Sequence, residues 1–134
     1  MEFAKAKKIF IVDDDPMLTE ACKDFLTRKV AHQVEIFYTG EECLKHLSEN
    51  PDVIILDYYL NTVQKDAANG MEILQVIKKN YPRIHVIMLS NQERYLIAMQ
   101  SIQRGAEQYI IKDQDSFKKI AEMINKMDWI LYRG

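Results

Sequence analysis

Residues 9–18 read IFIVDDDPML: four apolar residues run directly into three carboxylates and a proline. A continuous apolar run, rather than an alternating one, predicts a strand covered on both faces, as in a parallel sheet. Asp15-Pro16 reads as a helix N-cap followed by the first helical position. Asp13 and Asp14 are left at the strand's carboxyl end, where adjacent carboxylates repel each other and something must neutralise them.

The same alternation runs along the whole chain. Apolar runs at 8–12, 34–38, 53–56, 85–89 and 108–111 are separated by stretches with helical spacing, such as Leu18, Ala21, Cys22, Phe25 and Leu26 or Ile120, Met123, Ile124 and Met127. Tyr81-Pro82 ends the third of these, and Gly105 reads as the residue just past the fourth. Strands that are each followed by a helix predict an α/β fold with a parallel sheet, reached by right-handed crossovers. The runs at 53–56 and 85–89 are the clearest central strands. In such sheets the chemistry collects outside the carboxyl ends of the strands.

Composition bounds the function. A chain of 134 residues predicts one domain, spanning 8–134 after an N-terminal extension of residues 1–7. A net charge of −2 is too balanced for nucleic-acid or membrane binding through bulk electrostatics, and no apolar run reaches the length of a membrane span. Cys22 and Cys43 fall outside any CxxC pattern and read as small buried hydrophobes, which fits a reducing cytoplasm. His32, His46 and His85 have no context that suggests phosphotransfer. No DNA-binding, enzymatic or membrane output segment is expected within these residues.

The strand ends carry Asp13 and Asp14, then Asp57, Ser90 and Lys112. Singly, each has an ordinary reading as a cap, a turn residue or a solvated lysine. Together they put three carboxylates, a hydroxyl and an ammonium on one rim. Such a cluster is costly without a cation, and oxygen-only ligation suits Mg2+. A reactive carboxylate beside a metal, an ammonium and a hydroxyl is a site for phosphoryl transfer.

At this point the chain resembles the CheY-like receiver domain of two-component response regulators. The resemblance rests on Asp13 and Asp14, Asp57, NGMEIL with Gly70, MLS with Ser90, and GAEQYIIK with Gly105, Tyr109 and Lys112. It implies a flavodoxin-like, doubly wound five-stranded sheet in the order 2-1-3-4-5 with five flanking helices. It implies that Asp57 is the phosphoacceptor, served by a sensor histidine kinase or a phosphotransfer protein. Asp14 would bind Mg2+ directly, Asp13 through water, and Asp57 and the backbone carbonyl of Tyr59 would complete the protein ligands. Lys112 would pair with Asp57, and Ser90 would donate to the phosphoryl group. Tyr109 would turn inward and reshape the face made by the fourth helix, fifth strand and fifth helix. That face would meet a downstream effector, an output domain absent from these residues, or a second copy of the chain. The only chemistry would be self-phosphorylation and autodephosphorylation with Mg2+, rather than turnover of a substrate.

Three features depart from the family pattern. Asp113 follows Lys112 where the family commonly has proline, so Lys112 is expected on a different loop, with Asp113 capping the fifth helix. The loop 58–69 is a few residues long for the family and lacks its common proline. Asn91 beside Ser90, and Tyr59 two residues past Asp57, are expected to modulate access to the acceptor. A haloacid-dehalogenase-like phosphatase, with Asp13 as nucleophile, is the rival from another class, but Met17 misses its signature and Asp57 would have no role. An interaction module that is never phosphorylated is the other.

Overall fold

The computed structural model describes residues 5–60, 66–91 and 95–133, with side chains described as far as Met127. Five strands, β1 (Lys8–Val12), β2 (Gln33–Phe37), β3 (Val53–Asp57), β4 (His85–Ser90) and β5 (Gln108–Ile111), form one sheet. Five helices, α1 (Pro16–Leu26), α2 (Gly40–Leu44), α3 (Gly70–Asn80), α4 (Tyr95–Gln103) and α5 (Ser116–Arg133), alternate with them. The strand order is β2-β1-β3-β4-β5 and every pairing is parallel, as the sequence and the resemblance together predict.

The sheet is covered on both faces. Phe10, Val12, Ile54, Leu56, Val86 and Met88 point into one core with Leu60 and α3, while Ile9, Ile11, Val53, Ile55, Ile87 and Leu89 meet α1 and α5 on the other. This two-sided burial explains why β1, β3 and β4 read as unbroken apolar runs, whereas the edge strands β2 and β5 are only partly buried.

The predicted helix signals hold where capping chemistry is explicit. Asp15 accepts hydrogen bonds from the N–H groups of Met17 and Leu18, with Pro16 opening α1. Asn69 accepts from the Glu72 N–H at the start of α3. Past α4, Gly105 sits at φ 109°, and Gly105 and Ala106 donate to the carbonyls of Ile102 and Ser101, the Schellman pattern. The second helix is shorter than its spacing suggests: α2 stops at Leu44, and Leu47–Glu49 form a separate 3-10 turn.

On α4 the core takes Ile97 and Ser101, and Tyr95, Leu96, Met99 and Ile102 face solvent. Among the described residues no helix is long and apolar enough to cross a membrane. The expectations about the middle of the 58–69 loop lie outside the described residues.

Candidate functional site

The topology delivers the strand-end residues to one rim. Asp57 closes β3 opposite Leu89, and Ser90 closes β4 opposite Ile111. Asp13 follows β1 directly and extends the ladder by donating its N–H to the Phe37 carbonyl at 3.1 Å. Lys112 follows β5 and donates its N–H to the Ser90 carbonyl at 2.8 Å. Asp13, Asp14 and Asp57 each offer an oxygen within 4.8 Å of the others. Asp13, Asp57 and Ser90 are buried, and Asp14 is half-buried.

Lys112 bridges two of these carboxylates. Its Nζ lies 2.9 Å from Asp13 Oδ2 and 3.2 Å from Asp57 Oδ1. The resemblance implied a pair with Asp57; the nearer partner is Asp13. Asp13 Oδ1 accepts the Asp15 N–H at 3.1 Å, which ties the acidic loop to the start of α1. The buried Asp13 Oδ2 meets the Lys112 ammonium as its close partner among the described residues, which leaves this oxygen with acceptor capacity to spare.

One cation between buried carboxylates is too little charge. Burial pushes the Asp57 carboxyl up to about 7, helped by the Asp13 charge and only partly opposed by Lys112. Burial also raises the Asp13 carboxyl, against the pull of Lys112. Burial acts to lower the Lys112 ammonium, but Asp57 and Asp13 outweigh it and hold it above the ordinary lysine value. The set is three clustered carboxylates, one with an under-used buried oxygen, and it fits a hard divalent cation with oxygen ligands and water.

The backbone around Asp57 is closely held. Tyr58 donates to the Leu89 carbonyl at 3.0 Å, and Gly70 donates to the Tyr58 carbonyl at 2.7 Å. Gly70 must be glycine: a Cβ there would run into the Asp57 carbonyl oxygen and come within 2.7 Å of Tyr58 Cα. Tyr59 is half-buried, edge-on to the Tyr58 ring at 4.7 Å between centroids, and Asn91 is exposed beside Ser90. Tyr109 is half-buried on β5 and packs against the core that α3 and α4 cover.

One contribution had no signal in the sequence, and another differs from its expected form. Glu41 on α2 accepts the Ala68 N–H at 2.9 Å, fastening the end of the segment that leads into α3 across 27 residues. Asp113 caps the turn before α5 rather than the helix itself: its Oδ1 accepts the Asp115 N–H at 2.8 Å.

Comparison with known proteins agrees with this geometry. The family model described as "Response regulator receiver domain" matches residues 9–125. The probable C4-dicarboxylate response regulator DctR of Bacillus subtilis is 36% identical over 112 residues, covering 81% of this chain and 46% of that protein. The chain thus spans about half the length of the curated relatives DctR and CpxR. A CheY-like receiver domain protein from Methanospirillum hungatei superimposes with a TM-score of 0.80 at 26% identity, covering 97% of this chain and 100% of that one. The BeF3-activated DrrB receiver domain gives 0.78 at 26% identity, covering 92% and 99%.

Proposed function

The chain belongs to the response regulator receiver domain family, and from that premise we propose that Asp57 accepts a phosphoryl group with Mg2+ bound beside it. The observation that carries this reading is the convergence of Asp13, Asp14 and Asp57 within 4.8 Å, with Lys112 bridging two of them. An Asp57 oxygen attacks phosphorus in line, a P–O bond forms, and the P–N bond of the phosphohistidine donor breaks with its electron pair returning to the imidazole. Asp14, Asp57 and the Tyr59 carbonyl would hold the metal directly and Asp13 through water, and the metal would supply positive charge for the equatorial oxygens. Lys112 neutralises a further oxygen, and Ser90 donates its hydroxyl to another.

The donor is a sensor histidine kinase or a phosphotransfer protein. Phosphorylation biases an existing equilibrium, because Ser90, Lys112 and Tyr109 make contacts that only the phosphorylated form offers. The readout face is α4, β5 and α5. Its α4 surface carries no charge over residues 95–103 and exposes Tyr95 by 81% and Leu96 by 60%. A groove of about 640 Å³ lined by Tyr109, Ile111, Lys119 and Met123 lies on the β5–α5 side of this face. An effector, an output domain or a second copy of the chain docks there. The protein is the substrate of its own phosphoryl chemistry rather than a turnover enzyme. We place it in the cytoplasm, where the buried thiols of Cys22 and Cys43 stay reduced.

Intact-mass spectrometry after incubation with acetyl phosphate tests the proposal. One phosphoryl adduct with Mg2+ and none with the metal chelated is the expected result; an unlabelled folded protein, beside a control receiver that labels, would overturn it. Side chains bordering the acceptor set the adduct's lifetime by limiting water. Asn91→Ala and Tyr59→Asn are each expected to change it several-fold without changing the labelled residue, read by the decay of the adduct after donor removal. Unchanged lifetimes would remove both from that role.

A further inference from the structure

We infer that Asp113 is a positioning residue for phosphoryl transfer, acting through Lys112; this rests on the receiver reading above. Lys112 is a long side chain whose ammonium must reach Asp13 and Asp57 at 2.9 and 3.2 Å. On its N-terminal side the backbone is held by the β-ladder, which ends with the Lys112 N–H on the Ser90 carbonyl. On its C-terminal side the backbone is held by the turn that Asp113 organises.

Three contacts build that turn. The Asp113 Oδ1 accepts the Asp115 N–H at 2.8 Å, an Asx turn. Its carbonyl accepts the Ser116 hydroxyl at 2.9 Å and the Ser116 N–H at 3.3 Å. Ser116 is buried, so its end of these bonds is shielded from water, whereas the Asx bond is exposed. The Asp113 Oδ2 faces Lys119 Nζ at 3.8 Å, a weak exposed pair. No peptide bond among the described residues is cis. The junction is thus shaped in part by a side-chain acceptor, in the short turn between β5, which leads into Lys112, and α5, which is seated in the core by Ile120 and Ile124.

The Asx turn needs an acceptor oxygen and no charge, which separates positioning from electrostatics. Asp113→Ala removes the acceptor and the charge together, whereas Asp113→Asn keeps the acceptor and removes only the charge that faces Lys119. Misplacement by about 1 Å can cost up to 10²-fold in rate, and a loosened turn is expected to slow acetyl phosphate labelling by about tenfold.

The experiment measures labelling rates by intact mass and Mg2+ affinity by calorimetry in the wild type and these two variants. It repeats Asp113→Ala in a Lys112→Ala background. Asp113→Ala should slow labelling while Mg2+ binding holds or tightens, because the ammonium that competes for Asp13 and Asp57 is less well seated. Asp113→Asn should restore the rate although it too loses the charge of the surface pair, and Asp113→Ala should add nothing once Lys112 is gone. A general loosening of the site would instead weaken metal binding together with labelling. That result, a wild-type rate in Asp113→Ala, or an equal slowing without Lys112 overturns the inference. A wild-type chain that takes no phosphoryl group overturns the receiver reading itself, and this inference with it.

Discussion

Asp57→Asn is expected to abolish the Mg2+-dependent phosphoryl adduct completely. The amide has nearly the same shape, so the buried site at the end of β3 keeps its packing. What it loses is the nucleophile: a carboxamide oxygen carries no negative charge, and no acyl phosphate can form on it. Asp13→Asn is the informative companion. Asp13 has one oxygen on the Asp15 N–H and the other beside Lys112, an arrangement for holding a loop and a cation. That variant should label more slowly and demand more metal, yet carry its phosphoryl group on Asp57. Peptide mapping of the adduct checks this. A phosphoryl group found on Asp13, persisting in Asp57→Asn, would instead revive the phosphatase reading of the DDDPM stretch.

Much of this site was legible because parallel sheets leave little freedom. Once β1, β3 and β4 are buried on both faces, their backbones are fully paired, and side chains can reach a ligand only past the strand ends. Asp13, Asp57, Ser90 and Lys112 therefore had to share a rim. The resemblance supplied the strand order that decides which of them are neighbours, and the structure agrees with it. Local capping was legible for a similar reason at Asp15, which acts within three residues of itself; the Asn69 cap of α3 is as local but was not among the expected ones. The end of α2 was not, since Leu44 and Leu47 keep helical spacing while the chain breaks between them into a 3-10 turn. Nor was the nearer partner of Lys112, because no local pattern separates two carboxylates that lie 2.9 and 3.2 Å from one ammonium. The Glu41 bond to Ala68 spans two elements and leaves no local pattern at all.

The metal-free protein is expected to lose stability as pH rises from 5 to 8, and Mg2+ to restore it. Asp57 titrates near 7 when folded against 3.8 for an ordinary carboxyl, chiefly because burial disfavours its charge and Asp13 adds to the repulsion. The folded state therefore holds this proton more tightly than the unfolded state does. Between those two values the unfolded chain binds fewer protons, so stability falls as pH increases and levels off above about 7. About 1.4 kcal/mol per unit makes the change across pH 5 to 8 on the order of 3 kcal/mol, shared with the coupled Asp13 and Lys112. His32 works in the opposite sense, since burial lowers its value and folding releases its proton, but it does so equally in any Asp57 variant. Urea unfolding in chelator at pH 5, 6, 7 and 8 should thus show a falling trend in the wild type that is largely absent in Asp57→Asn. That variant should be the more stable of the two at pH 8. Mg2+ bound as proposed would favour the folded, deprotonated cluster, so its stabilisation should be large at pH 8 and small at pH 5, where protons compete for the same oxygens. Parallel pH curves for the two proteins would mean that the acceptor is already ionised without metal, and that Lys112 alone neutralises the rim.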